Sequence, residues 1–146
     1  REPYFIPETK LISETFHDMR RQKQQLAMIV DEFGGVSGIV TLKQLVEEIV
    51  GPVEEEPAKG EFQRIDPVTT SVPGQSRIED INKRLELSLP EGKYETIAGL
   101  LLEYFGHIPR ENEEVSISNV RLTVKKTQGV RVTEVALTRL VRNTIE

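Results

Sequence analysis

The hydrophobic pattern of this 146-residue sequence is that of an α+β protein in two modules. Three features point there. The first fifty or so residues alternate between strand-length apolar runs and helical-period stretches. The segment Gly51-Pro52-Val53-Glu54-Glu55-Glu56-Pro57-Ala58-Lys59-Gly60 carries two prolines, two glycines and three consecutive glutamates, and cannot bury an apolar face. After it come two helical patterns and three closing β-branched runs.

In the first module, Ile12, Phe16 and Met19 stand at i, i+4, i+7 and predict one buried helix face, with Arg20 to Gln25 ending that helix in solvent. Gln25 to Val30 reads as a strand. Asp31-Glu32-Phe33-Gly34-Gly35 reads as a turn whose glycines accept positive φ, and Val36 to Val40 as the returning strand. Leu42, Leu45, Val46, Ile49 and Val50 match an amphipathic helix at every position, stopped by Gly51 and Pro52. With a strand ahead of the first helix, the unit is β-α-β-β-α. About 50 residues bury little core, so an apolar face is expected to need a partner, most simply a second copy.

In the second module, Phe62 to Ile65 and Val68 to Val72 read as strands. Ser76-Arg77-Ile78-Glu79 has capping-box spacing ahead of a helix buried through Ile78, Ile81 and Leu85. Ile97, Leu100, Leu101, Tyr104 and Phe105 form the apolar face of another helix, ended by Gly106 and Pro109. Gly99 inside that helix costs about 1 kcal/mol against Ala, and close approach of another backbone would explain it. Val115 to Ser118, Val120 to Lys126 and Val130 to Thr138 are strands, the last two joined by a Thr127-Gln128-Gly129 loop. A phase slip predicts a bulge near Thr133-Glu134. The module therefore has helices packed on a mainly antiparallel sheet.

Composition narrows the chemistry. There is no Cys, which excludes disulfides, thiolate nucleophiles and Cys-based zinc sites. The longest apolar stretch, Ile97 to Leu102, has six residues if Gly99 is allowed, far short of the roughly 20 that a membrane helix needs. The start, from Arg1 to Phe5, has no apolar signal-peptide region. Net charge is −5, and nucleic acid is not expected as a partner. The two histidines, His17 and His107, read as a surface residue and a helix-end residue, and no triad or metal spacing is present. No catalytic residue and no metal ligand is assigned. Glu47-Glu48 and Glu54 to Glu56 read as solvated charge rather than a cation site.

The specific spot is Gly38-Ile39-Val40-Thr41-Leu42-Lys43-Gln44, where a strand runs into a helix N-terminus. Free amides, the macrodipole and the Thr41 hydroxyl suit an anion. Thr41 and Gln44 also have the spacing of a capping box, and the residues alone leave both readings open.

The stretch Met28-Ile29-Val30-Asp31-Glu32-Phe33-Gly34-Gly35-Val36-Ser37-Gly38-Ile39-Val40-Thr41-Leu42-Lys43-Gln44-Leu45-Val46-Glu47-Glu48-Ile49-Val50-Gly51 resembles the second cystathionine-β-synthase-type (CBS) repeat of the CorC/HlyC family. That family includes magnesium and cobalt efflux proteins, CNNM transporters and hemolysin-like membrane proteins. Thr96 to Leu102 with Gly106-His107-Ile108-Pro109 resembles the signature of the family's C-terminal transporter-associated domain. The resemblance makes residues 1–51 one half of a CBS pair, 52–60 an acidic linker, 61–140 the transporter-associated domain and 141–146 a tail. It implies an α+β fold for the second domain similar to FAD-binding PCMH-like domains.

The resemblance also implies a non-enzymatic regulatory region of a divalent-cation efflux transporter at the cytoplasmic face of the cell membrane. Its implied partners are the parent membrane domain and a second copy paired through CBS repeats. Its implied ligand is adenine nucleotide, ATP or AMP with Mg²⁺, in the cleft between paired repeats. By position, Thr41 would contact phosphate, Gly38 would admit the ligand and Gln44 stands where the family commonly has the Asp that holds the ribose hydroxyls. Asn112 replaces a common Gly in a turn it can still make. The alternatives are FAD binding by the second module, for which no glycine-rich pyrophosphate loop is present, and a protein-interaction module with vestigial ligand sites.

Overall fold

The computed structural model describes residues 3–51 and 62–140. The expected linker (52–60) and tail (141–146) lie outside the described residues. The chain divides into two compact units, residues 1–48 and 49–146.

The first unit runs β1 (Phe5–Pro7), α1 (Ile12–Arg21), β2 (Leu26–Val30), β3 (Val36–Thr41), α2 (Leu42–Val50), with the cut between units falling in the last turn of α2. The sheet order is β1-β2-β3, parallel then antiparallel. The turn between β2 and β3 is built by Asp31, whose Oδ1 accepts the amides of Phe33 (2.9 Å) and Gly35 (2.8 Å), with Gly34 at φ +85°. The pleat puts Ile6 and Ala27 on one face, both buried. Phe5, Leu26 and Ile39 lie on the other face, each more than 40% exposed. The expected wet apolar face is therefore the outer face of this sheet. On α1, Phe16 and Met19 are fully buried, but Ile12 is 44% exposed. Ile12 is the first residue of the helix, and Thr15 takes the buried place, its hydroxyl bonded back to the Leu11 carbonyl at 2.8 Å.

The second unit carries β4 (Gln63–Asp66), β5 (Thr69–Pro73), α3 (Ile78–Leu85), α4 (Ile97–Phe105), β6 (Glu114–Ile117), β7 (Val120–Gln128) and β8 (Arg131–Arg139). Its five-stranded sheet has the order β4-β5-β8-β7-β6 and is antiparallel throughout. Val120, Leu122 and Val124 of β7 alternate inward against Val72 of β5, Val135 and Leu137 of β8, and the buried faces of α3 and α4. The helices thus cover one side of the sheet, as the pattern predicts.

Four local expectations change. The α3 start is not a capping box. Arg77 is the N-cap residue and makes no side-chain cap, while the Ser76 hydroxyl is buried with no bond. An isolated antiparallel bridge between Arg77 and Thr96 does the work instead, with the Glu95 carbonyl accepting the Ile78 amide at 2.9 Å. Tyr104 is half exposed, while Ala98 and Leu102 are buried, because the first two turns of α4 are enclosed on all sides. The β7–β8 ladder continues to Gln128 opposite Arg131, so the connection is Gly129-Val130. At Gly99 a β-carbon would lie 2.3 Å from the Tyr94 β-carbon; the close neighbour is a side-chain stem, not a backbone.

The bulge on β8 is present, with Thr133 unpaired and β7 compensating at Lys125, so the register returns to its starting offset. Gly74 sits against that bulge. Its amide bonds the Thr133 carbonyl at 3.1 Å, and a β-carbon on it would lie 2.0 Å from the Val132 carbonyl oxygen. Backbone cannot give way as a side-chain tip can. Gly74→Ala is expected to cost about 3 kcal/mol, the upper range for overpacking. Urea unfolding of the variant measures it, and a loss under about 1 kcal/mol would show that β5 can shift aside.

Candidate functional site

Thr41 ends β3 and Gln44 lies in the first turn of α2, so the strand-to-helix junction brings these two together, while Gly38 lies three residues back on β3 and faces the other side of the sheet. Thr41 and Gln44 make a reciprocal capping box: the Gln44 Oε1 accepts the Thr41 amide at 2.9 Å, and the Thr41 Oγ1 accepts the Gln44 amide at 3.1 Å. The Leu42 amide donates to the Gln25 carbonyl at 2.9 Å. Among the described residues this leaves the Lys43 amide as the first-turn donor without a bond. The Thr41 hydroxyl accepts, so its own proton remains to donate. The capping box and the anion site are thus compatible, since the box consumes acceptors and amides but not that proton.

Gly38 pairs with Ile29 beside a register shift that leaves Ser37 as the extra residue. A β-carbon on Gly38 would only touch the Ile29 Cδ1 at 3.8 Å, an ordinary contact. Among the described residues no close contact demands glycine there. Its place beside the bulge at Ser37 is one ordinary setting for a strand glycine.

His17 lies half-buried on α1, its ring edge-on to Phe16 at 5.5 Å. It borders a shallow, open depression with Pro7, Thr9, Lys10, Glu14 and Asp18. Lys10 and Arg21 both pair with Asp18. The Lys10 bond, assisted by Arg21 and opposed by partial desolvation, holds the Asp18 carboxyl below its ordinary range.

His107 follows the left-handed Gly106 cap and stacks on Phe105 at 5.4 Å. Its Nδ1 lies 3.2 Å from the Phe105 carbonyl oxygen and its Nε2 2.9 Å from the Glu113 Oε2. Glu113 is reached because Asn112 turns the chain at φ +73°, the left-handed conformation expected of it. The Glu113 Oε1 also accepts the Arg110 amide at 2.7 Å. Burial pushes the Glu113 carboxyl up, but the Arg110 amide and His107 outweigh it and hold it below the usual carboxylate range. The arrangement clasps the end of α4 to the turn ahead of β6.

Sequence reasoning missed three things here. Glu113 was invisible as the His107 partner because the turn between them is not periodic. Thr96 is the α4 N-cap, its Oγ1 accepting the Gly99 amide at 3.1 Å; the Thr-to-Gly99 spacing lacks the Glu or Gln of a capping box. Arg64, Arg84 and Arg139, far apart in the chain, line one cavity of the second unit. No group of three or more His, Cys, Asp or Glu with metal-binding geometry occurs among the described residues, and the glutamates of the linker fall outside them.

Residues 63–141 match the family CorC_HlyC, described as a transporter associated domain, and residues 1–51 match the CBS domain family. The chain is 31% identical over 141 residues to the magnesium and cobalt efflux protein CorC of Pasteurella multocida, covering 94% of this chain and 47% of that protein. It is 31% identical over 138 residues to CorC of Escherichia coli, covering 92% and 47%. The chain therefore spans about half the length of the curated relatives it matches. Among solved structures, the transporter-associated region of a CorC from Neisseria meningitidis aligns with TM-score 0.51 at 25% identity, covering 55% of this chain and 99% of that one. The CorC_HlyC domain of a Xylella fastidiosa hemolysin, solved with Mg²⁺ and Mn²⁺, aligns with TM-score 0.50 at 27% identity, covering 56% and 99%.

Two outcomes follow from this geometry. Thr41→Ala breaks one half of the capping box and is expected to cost about 0.5–2 kcal/mol, read by chemical denaturation, with Thr41→Ser nearly neutral. Glu113 has a depressed folded-state pKa, so the unfolded chain takes up its proton first as pH falls. The stability it contributes is complete above the ordinary carboxylate range and is lost below it, as pH drops through the folded value. Between about pH 5 and about pH 3 the thermal midpoint of Glu113→Gln is expected to fall less than that of the parent chain. Equal slopes would remove Glu113 from the acid response.

Proposed function

Because this chain belongs to the CorC/HlyC family, we propose that it is the cytoplasmic regulatory region of a divalent-cation efflux transporter and senses adenine nucleotide through its CBS module. The observation that carries this reading is the alignment of nearly the whole chain with about half of each CorC efflux protein. The transported ion, Mg²⁺ or Co²⁺, is taken from the names of those relatives. No helix among the described residues is long and apolar enough to cross a membrane, so the translocation path is assigned to a part of the protein other than these residues.

Three observations support nucleotide sensing. Thr41 keeps a hydroxyl proton at the positive end of α2. Among the described residues, Gly38 leaves open space on its strand where a side chain would stand, with only the Ile29 Cδ1 at 3.8 Å from the place of a β-carbon. The outer face of the β1-β2-β3 sheet is apolar and exposed through Phe5, Leu26 and Ile39, the surface that a second CBS repeat would cover while completing the cleft. Ligand binding at that cleft would bias the geometry of the pair, and through it the membrane domain.

Gln44 replaces a carboxylate with an uncharged amide that is already engaged to the Thr41 backbone. Ribose recognition is accordingly weaker than in a repeat with Asp there. Isothermal titration of ATP with Mg²⁺ into the longer protein carrying both repeats tests the reading. Binding is expected, weakened about tenfold by Thr41→Ala, the scale of one lost phosphate contact. No heat at millimolar ligand, with transport by the intact protein unimpaired, would overturn nucleotide control.

A further inference from the structure

We propose that the cavity between the β4–β5 hairpin and the end of α3 is a binding site for a phosphomonoester group, held by Arg64, Arg84 and Arg139. The cavity has a volume of about 240 Å³. Val120 and Leu137 close it from beneath, but at 0% and 2% exposure they present almost no surface, so what a ligand would meet is mostly polar. Its rim carries three guanidinium groups from three different elements: β4, the last turn of α3 and the end of β8.

Each arginine is positioned by a neutral partner. Arg64 Nη2 donates to the Pro67 carbonyl at 2.8 Å. Arg84 stacks over the Phe62 ring, 3.9 Å from its centre. Arg139 Nη2 donates to the Leu85 carbonyl at the end of α3. Among the described residues none of the three is in an ion pair with a carboxylate. Each guanidinium has five donors, and these contacts use one or none of them. The one acidic side chain lining the cavity, Glu86, stands at the left-handed C-cap of α3 at φ +54°. Asp66, two residues along β4, adds a second carboxylate close enough to interact with Arg64, and three cations against two carboxylates leave the rim positive by one.

Three forked donors on one rim suit the three terminal oxygens of a phosphomonoester better than the two of a carboxylate. The small volume and mostly polar lining suit a phosphate carried on a compact body. A dinucleotide exceeds it, since pockets that enclose even drug-sized ligands run from about 300 to 1,000 Å³. The same phosphate chemistry occurs on a soluble metabolite and on the headgroup of phosphatidic acid. The site is independent of the CBS junction and does not rest on nucleotide binding there.

Phenyl phosphate titrated into the chain, followed by amide chemical shifts, tests it. Shifts at Val68, Leu87 and Arg139 are expected, with none from phenol. Arg64→Gln and Arg84→Gln are each expected to weaken binding about tenfold, the loss of one charge-assisted contact. An unchanged amide spectrum away from the cavity shows that both variants fold. Vesicles of phosphatidylcholine with phosphatidic acid form the second arm. Arginine-dependent binding to the soluble probe alone supports a metabolite source, and arginine-dependent binding to vesicles supports a lipid headgroup. Absence of binding in both arms, binding that neither substitution weakens, or shifts confined to residues 28–44 would overturn the proposal. The last result would leave the CBS reading intact.

Discussion

Gly74 brings the end of β5 so close to the bulge of β8 that a β-carbon would lie 2.0 Å from the Val132 carbonyl oxygen. The second unit depends on that contact. β8 is the strand with two long neighbours, pairing with β5 on one side and β7 on the other. Its unpaired Thr133 turns a carbonyl to the Gly74 amide, and the Gly74 carbonyl in turn accepts the Ala98 amide at 2.9 Å. Two residues on, the Ser76 carbonyl accepts the Ile97 amide at 3.0 Å. Sheet bulge, strand end and the first turn of α4 are thus linked by backbone bonds, which tolerate little displacement because each is a single fixed geometry.

The same stretch sets where α3 begins. With the Ile78 amide on the Glu95 carbonyl and Arg77 bridged to Thr96, the helix needs no side-chain cap, and the Ser76 hydroxyl is enclosed without a bond. That orphan costs free energy, and the bridge offsets it by satisfying backbone groups that a capping box would otherwise serve. Fixing the start of α3 also fixes its end, eight residues on, where Arg84, Leu85 and Glu86 meet the β4–β5 hairpin and Arg139. The arginine-rimmed cavity is a consequence of helix length and sheet order together.

The first unit works differently. Its site is local: one strand, one helix start, and a capping box made by residues three apart. Its core is small, and one face of its sheet is left apolar and exposed. An exposed apolar face of this kind is a surface on which another element can pack. The second unit encloses its own core.

Periodicity alone placed every helix and nearly every strand, because α2, α4, β7 and β8 bury alternating or one-sided apolar sets whose period follows directly from backbone geometry. The turn at Asp31, the stop at Gly106 and the bulge near Thr133 were legible because each is decided by a few adjacent residues, whereas the turn at Asn112 was implied by the family resemblance. The Thr41–Gln44 junction was legible as a position but not as a choice, since capping and anion binding ask for the same residues. Contacts between distant segments were not legible. The enclosure of α4 that exposes Tyr104 and buries Leu102, the Arg77–Thr96 bridge that displaced the Ser76 cap, the His107–Glu113 clasp and the gathering of Arg64, Arg84 and Arg139 all depend on which surfaces meet. A sequence encodes that meeting only through the packed whole, where a local preference worth about 1 kcal/mol yields to the sum of many contacts.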